Sequence, residues 1–294
     1  MVTLTVFANF YINSDETFQR MKDSFESFKG ITAQKWVINA RGAFKAETMA
    51  FLRERLGDKL VSYELQSKEG WFHDTQQMLK DIDTDFVLLW LEDHINLADV
   101  RKYDAILAEM KENGSEYLSY SWWNGGEPLD VYRDVPKKES QHIFSFTLDK
   151  KNLAEVEKRH STFIIGMVSI FSTELFKKLL TETKMFMRQY PKYTPFNLEK
   201  GGAETKWLPV RYAIAKEELF CSIDAGKEGY SLQSRGLYPK REIRKRPLAD
   251  LNLHLKQPSI FKKVAPKSLY DMTIGCIIFF NKVKKYLYLL SKGA

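Results

Sequence analysis

From residue 4 to residue 91 the apolar positions alternate between short continuous runs and stripes at helical spacing. Leu4 to Phe10 is an apolar run ending in Tyr11-Ile12-Asn13, and it predicts a strand. Asn13 with Glu16 has the form of a capping box, and Phe18, Met21, Phe25 and Phe28 then recur every three or four residues, as in a helix, up to Gly30. Lys35 to Asn39 reads as a second strand, and Ala43 to Leu56 as a second helix through Phe44, Phe51, Leu52 and Leu56. Leu60 to Leu65 is a third strand, and Trp71 to Ile82 a third helix. The fourth strand is the most apolar. Phe86 to Leu91 runs without interruption and stops on Glu92-Asp93-His94. Strands alternating with helices in this way predict a parallel α/β sheet, and so apolar a run predicts a strand buried on both faces.

The pattern continues less regularly. Asn96 with Asp99 is expected to start a helix through Tyr103, Ile106, Leu107 and Met110, closed by Asn113-Gly114. Tyr117 to Trp123 is an aromatic strand; Trp122 and Trp123 suit either stacking on a ligand or packing in the core. Phe144, Phe146 and Leu148 alternate, residues 150–159 read as a charged helix, and Phe163 to Phe171 as a second very apolar strand. Ser172 is expected to cap a helix through Leu175, Phe176, Leu179 and Leu180. Residues 190–206 read as irregular, and Trp207 to Leu219 as partly helical despite Pro209.

Ligands of open α/β sheets sit beyond the carboxyl ends of the strands. That rule makes Glu92, Asp93 and His94 candidates, although acids also favour the start of a helix. Arg41, after the second strand, is placed to approach a phosphate or a base, or to lie on the surface. No glycine-rich fingerprint follows the first strand, which argues against a P-loop or a Rossmann cofactor site. The two cysteines, Cys221 and Cys276, form neither a metal-ligand pattern nor a disulfide framework. Nothing at the N-terminus reads as an export signal, so an intracellular setting is expected.

The order of these features resembles the GT-A-type glycosyltransferases, in the broad family of bacterial enzymes that build surface polysaccharides. The resemblance covers residues 3–220. It implies an α/β fold with a mostly parallel central sheet flanked by helices, a donor half at 1–95 and an acceptor half at 96–220. It implies that Glu92-Asp93 is the acidic motif that follows the buried strand, with Glu-Asp-His standing where a spaced pair of aspartates is commoner. Asp74, in Trp-Phe-His-Asp, falls at the family's donor-contacting position, and Asn9, at the first-strand ending where the family has a proline-bearing turn, is expected to contact the donor as well. Glu204, in Gly-Gly-Ala-Glu-Thr, matches the acid that serves as general base toward the acceptor hydroxyl. The expected donor is a nucleotide-diphospho-sugar. UDP is favoured because it is the family's commonest carrier, not because any residue here reads uracil. The expected acceptor is a glycan or lipid-linked glycan.

The chemistry of the residues agrees. Breaking the sugar–phosphate bond requires the diphosphate charge to be neutralised, and Mn2+ or Mg2+ held by one or two carboxylates does this. Asp93 is the expected anchor and Glu92 a second ligand or a hydrogen-bond acceptor. His94 is either a ligand or an orienting neighbour. Glu204 as a base implies inversion at the anomeric carbon, with Asp224 the next acid in line for that role.

Charge bears on the last segment. The chain carries a formal net charge of +7, and residues 221–294 read as a basic, partly helical extension. Arg235, Lys240, Arg241, Arg244, Lys245 and Arg246 cluster there, and Met272 to Phe280 is an apolar run with lysines on both sides. The run is too short to cross a bilayer, which needs about 20 residues. It suits an interfacial helix, so residues 256–292 are expected to touch an anionic membrane or to pack on the core. A cytoplasmic protein, peripheral on the inner face of the cytoplasmic membrane, follows. A nucleic-acid-binding protein is the alternative that uses the same basic third, but no helix-turn-helix, zinc or RNA-binding signature accompanies it. A sugar nucleotidyltransferase would need a glycine-rich basic loop after the first strand, which this sequence lacks.

Overall fold

The computed structural model describes residues 1–67, 70–119, 131–157, 165–166, 168–181, 207–224 and 231–239. Its first part follows the hydropathy pattern closely. Strands β1 (Leu4–Tyr11), β2 (Lys35–Arg41), β3 (Leu60–Tyr63) and β4 (Phe86–Leu89) are joined by helices α1 (Asp15–Phe28), α2 (Lys45–Leu56) and α3 (Trp71–Met78). They pair in parallel in the order β3-β2-β1-β4, with β1 and β2 in register from Thr5↔Lys35 to Tyr11↔Arg41. The remaining elements are β5 (His94–Asn96), α4 (Lys102–Glu112), β6 (Tyr117–Leu118), β7 (Lys138–Glu139), β8 (Ile143–Leu148), α5 (Lys150–Glu157), β9 (Ile170–Ser172), α6 (Thr173–Thr181), β10 (Val210–Ala215) and β11 (Phe220–Ser222).

Nine strands form one sheet in the order β3-β2-β1-β4-β9-β6-β10-β8-β7. Only β8 and β9 run against the other seven, so the sheet is mostly parallel in direction. A second, two-stranded sheet pairs β5 with β11, setting His94 opposite Ser222.

Period-two alternation sorts the strand residues between two cores. Leu4, Val6, Ala8 and Phe10 of β1 face α1, α2 and α4, as do Trp36, Ile38 and Ala40 of β2. Phe7, Val37 and Val87 face the other way, onto α3 and α6. Phe25 of α1 packs between the rings of Trp36 and Trp90, with centroids at 5.6 and 6.1 Å, and those two indoles meet edge to face at 5.3 Å. Such aromatic pairs add about 0.5–1.5 kcal/mol each to the area they bury.

Several expectations are corrected. The capping box of α1 is Ser14 with Thr17, one residue later than Asn13 with Glu16, because Asn13 Oδ1 instead accepts from the Ala43 N–H at 3.2 Å. Asn96 does not start a helix; it pairs with Phe220 in the small sheet, and α4 begins at Lys102. Residues 208–219 are not helical. Val210–Ala215 is a strand held between β6 and β8, and these long-range ladders override the local pattern. Apart from these corrections, residues 231–239 bond to the stretch just before them: Leu232 N donates to Ser222 O at 3.0 Å, and Arg235 bonds Glu218 in bidentate fashion at 2.8 and 2.9 Å.

Asp85 ties the start of β4 to the start of β1. Its carboxylate accepts from the N–H and hydroxyl of Thr3, both at 3.0 Å, and from Lys111 Nζ at 2.8 Å. The Lys111 bond, with help from Thr3, holds its pKa below the usual carboxylate value against a smaller upward push from burial. A depressed pKa stabilises the fold above the unfolded-state value of about 4, and that stability is lost as pH falls through the folded value. Asp85→Asn is therefore expected to cost about 1 kcal/mol at pH 7. In denaturant titrations the gap to wild type should close below pH 4; a gap independent of pH would show that the charge contributes nothing.

Candidate active site

The site grows from alternation at the carboxyl edge of the sheet. Asn9, Asn39 and Arg41 lie on the α3 side of β1 and β2, where the next inward positions would otherwise be apolar. All three are buried. Asn9 Nδ2 donates to Trp71 O at 3.1 Å and to Thr75 Oγ1 at 2.9 Å, while its Oδ1 accepts from Asn39 Nδ2 at 2.9 Å. Trp71 Nε1 returns a bond to Asn9 O at 3.0 Å, and Asn39 exchanges bonds with the backbone of Leu65 at 2.8 and 3.0 Å. The Asn9 amide thus fixes α3 against the strand ends.

That network sets Asp74. It is fully buried on α3 and accepts from the Ser67 N–H at 3.0 Å. Arg41 Nη1 stands 4.0 Å from Asp74 Oδ2, with the Arg41 side chain only 8% exposed. Arg41 Nε is buried and has no hydrogen-bond partner among the described residues. Burial depresses the Arg41 pKa, and the charges of Asp74, Tyr11 and Glu92 oppose this only in part. A buried guanidinium with an unused N–H and a distant counterion is a cation short of acceptors, a costly arrangement in a folded chain.

The turn after β4 is held from both sides. Trp90 N donates to Phe7 O at 2.8 Å, and the indole Nε1 to Ser24 Oγ at 2.7 Å. Ser24 Oγ in turn meets the carbonyls of Leu91, at 3.3 Å, and His94. On the other side Ile223 N donates to Asp93 O at 2.7 Å. Glu92 and Asp93 are thereby fixed side by side. Glu92 keeps some surface open, yet its carboxyl is embedded deeply enough that desolvation, and then the charge of Asp93, push its pKa up to about 7. Asp93 moves the other way: burial pushes it up, but the charge and hydrogen bond of His94, whose Nδ1 lies 2.7 Å from Oδ1, outweigh that. Arg20 contributes to holding both acids in the charged form.

Glu92, Asp93 and His94 thus form one group, and Arg41 with Asp74 and Asn9 a second beside it, linked by the charge that Arg41 exerts on Glu92. Glu204, Trp122, Trp123 and residues 256–292 lie outside the described residues. Ser24 and Arg20 were invisible as site residues, because on α1 they read as ordinary polar positions of an amphipathic helix. Only the apolar stripe of α1 facing β4 hints that its polar neighbours reach the strand's end.

Among the described residues no three His, Cys, Asp or Glu side chains converge on a metal position. A divalent ion here would rest on one or two carboxylates, with the remaining ligands supplied by a substrate and water. Two adjacent carboxylates whose charges oppose each other fit that requirement, since magnesium and manganese take oxygen ligands and complete their shell with phosphates.

This is a GT-A-like fold: a mostly parallel sheet flanked by helices, with two acids following the central buried strand. Among solved structures it is similar to the crystal structure of Staphylococcus aureus TarS 1-349, at a TM-score of 0.50 and 12% identity. The likeness covers 74% of this chain and 60% of the TarS fragment, so this chain spans less than two thirds of that fragment. The same fragment crystallised with UDP and with UDP-GlcNAc matches at TM-scores of 0.47 and 0.48, with 15% and 14% identity, covering 74% and 78% of this chain and 60% of the fragment in each case. No family model and no curated protein sequence matches the chain.

Gly42 supports Arg41 through backbone alone. Its φ is +96°, and a Cβ there would lie 2.4 Å from Ile12 O, the carbonyl that accepts from Phe44 N. Gly42→Ala is expected to cost about 2–4 kcal/mol, from strain and the displaced backbone together. Chemical denaturation measures it, and a cost below about 0.5 kcal/mol would mean the β1 and β2 ends are not locked by this contact.

Proposed function

We propose that this chain is a glycosyltransferase moving a sugar from a nucleotide-diphospho-sugar, UDP-linked by preference, to a hydroxyl of a glycan or lipid-linked glycan. The observation that carries the reading is the paired Glu92-Asp93 beside the under-paired buried guanidinium of Arg41, at the carboxyl edge of a GT-A-like sheet. One group needs a cation and the other needs an acceptor. A metal-bound nucleoside diphosphate supplies both.

In this reading Asp93 holds Mn2+ or Mg2+, and Glu92 is its second ligand or accepts from a ribose or sugar hydroxyl. His94 orients Asp93 through Nδ1, or ligates through its other nitrogen. When bound, the ion neutralises the diphosphate as a Lewis acid. Arg41 donates to the base or a phosphate, and Asp74 accepts from the donor's nucleoside. Asn9 sets the position of α3 and acts through Asp74. Glu204 takes the proton of the acceptor hydroxyl as its oxygen bonds to the anomeric carbon and the bond from that carbon to the diphosphate breaks, so the configuration inverts. The domain division at residue 220 and a cytoplasmic site peripheral to the membrane belong to the same reading. Among the described residues no helix is long and apolar enough to cross a membrane.

The test is calorimetry of UDP and UDP-sugars with and without manganese. Asp93→Asn should retain the fold and lose about a hundredfold or more of the metal-dependent affinity. Unchanged manganese-dependent binding would remove Asp93 from the metal site, and no binding of any nucleoside diphosphate by the wild type would remove the reading itself. Glu204→Gln should lower transfer by about 10²–10⁴ while donor affinity stays nearly constant. Retention of anomeric configuration in the product, read by NMR, would end the case for that base.

The basic segment generates a separate expectation. Full-length protein should float with vesicles containing phosphatidylglycerol, less so at high salt, and truncation after residue 255 should abolish flotation. Flotation unaffected by the truncation would assign membrane contact, if any, to the main body.

A further inference from the structure

Arg20 sits on α1 with its guanidinium divided between two acids. Nη2 lies 2.5 Å from Glu16 and Nη1 lies 2.6 Å from Asp224. The side chain of Arg20 is 13% exposed, whereas those of Glu16 and Asp224 are 49% and 42% exposed. The cation is seated in the protein and its partners stand in water. Asp224 is brought there by a specific route. It follows Ser222, which pairs with His94, and Ile223, whose N–H donates to Asp93 O. The stretch carrying Asp224, just past β11, therefore runs beside the turn bearing the acid pair, and the charge of Arg20 reaches both Glu92 and Asp93. On either side the same stretch is fastened to the body, through Arg235 with Glu218 and Tyr238 Oη with Asp23 Oδ2.

We propose that the Arg20–Asp224 ion pair is a clasp exchanged on donor binding: the diphosphate takes the guanidinium from Asp224. The proposal rests on the sugar-transfer reading and deepens it. Ion pairs with well-exposed carboxylates contribute only about 0–1 kcal/mol, so Asp224 holds Arg20 weakly. A diphosphate carries more charge and offers bidentate acceptors to a guanidinium, which makes the stronger bond. Arg20 is seated beside the acid pair with or without Asp224, because α1 is anchored there by Ser24. Exchange then requires a change of partner and no movement of the helix. Because coupling is reciprocal, whatever loosens Asp224 also favours the diphosphate.

Calorimetry with magnesium pyrophosphate, UDP and uridine on wild type, Asp224→Asn, Arg20→Gln and the double variant tests the clasp. Asp224→Asn should bind pyrophosphate and UDP about two- to fivefold tighter, the equivalent of a weak ion pair no longer competing. Arg20→Gln should bind them roughly tenfold to a hundredfold more weakly. In the double variant the gain from Asp224→Asn should vanish, which isolates the pairwise effect. Uridine, without phosphate, should bind all four alike. A merely structural ion pair would instead lower the melting temperature of Asp224→Asn and weaken uridine and UDP together. Binding of UDP by wild type with equal or weaker binding by Asp224→Asn, or a gain that survives in the Arg20→Gln background, overturns the clasp alone. Failure of the wild type to bind UDP, other nucleoside diphosphates and pyrophosphate overturns the sugar-transfer reading and the clasp with it.

Discussion

When the chain leaves β4 it passes from a strand with no polar side chain, buried on both faces, to two carboxylates and a histidine within a few residues. Backbone groups at that exit must find partners inside the protein, because unpaired buried amides and carbonyls are expensive. Phe7 O, Ser24 Oγ and Ile223 N are those partners, from β1, α1 and the stretch after β11. Three parts of the chain that are remote in sequence therefore converge on one turn. The direction of Glu92 and Asp93, the placement of Arg20, and the docking of residues 220–224 all follow from how that turn is satisfied.

A related constraint acts on the inward polar side chains at this edge of β1 and β2. Asn9, Asn39 and Arg41 occupy inward positions of β1 and β2, where a hydrocarbon would pack at lower cost. The asparagines are compensated: each amide bonds the other, or the backbone near α3. Arg41 is not. Local rules of burial are broken at one residue of the three, and it is the residue aimed between Asp74 and Glu92. Unrelieved departures of this kind concentrate at binding sites, where a ligand supplies the missing partner.

How much of this was legible in the sequence depends on the range of the contacts involved. Helix α1, strand β4 and the parallel half of the sheet are written in local periodicity, and Phe18, Met21, Phe25 and Phe28 are enough to place α1. Glu92, Asp93 and Arg41 could be singled out because each follows a strand, and Asp74 because it falls at the position where the resembling family contacts its donor. The strand Val210–Ala215 was misread because its apolar residues fit a helical stripe as well as a ladder. Its pairing with Ile143–Leu148 decides the matter, and that pairing is invisible in a local window. Asn96 was misread as a helix start for the same reason, since only Phe220 makes it a strand residue. Ser24 and Arg20 belong to a third class. Nothing in their spacing separates them from solvent-facing neighbours, and they become site residues only when α1 is laid against the exit of β4.

On the sugar-transfer reading, Arg41 and Arg20 would prepare a site for an anion in two ways. Arg41 is buried with its counterion 4.0 Å away, so the cost of its desolvation is already present in the folded state and a ligand recovers it on binding. Arg20 is fully paired, but with carboxylates that water screens, so the protein carries little strain and the ligand has only a weak bond to displace. The first arrangement favours affinity, since the acceptor meets a cation with an unused donor in a medium of low dielectric. The second favours response, because the partner that is displaced belongs to another part of the chain. On that reading, a site with both would hold a charged donor firmly at one end and exchange a weakly held partner at the other.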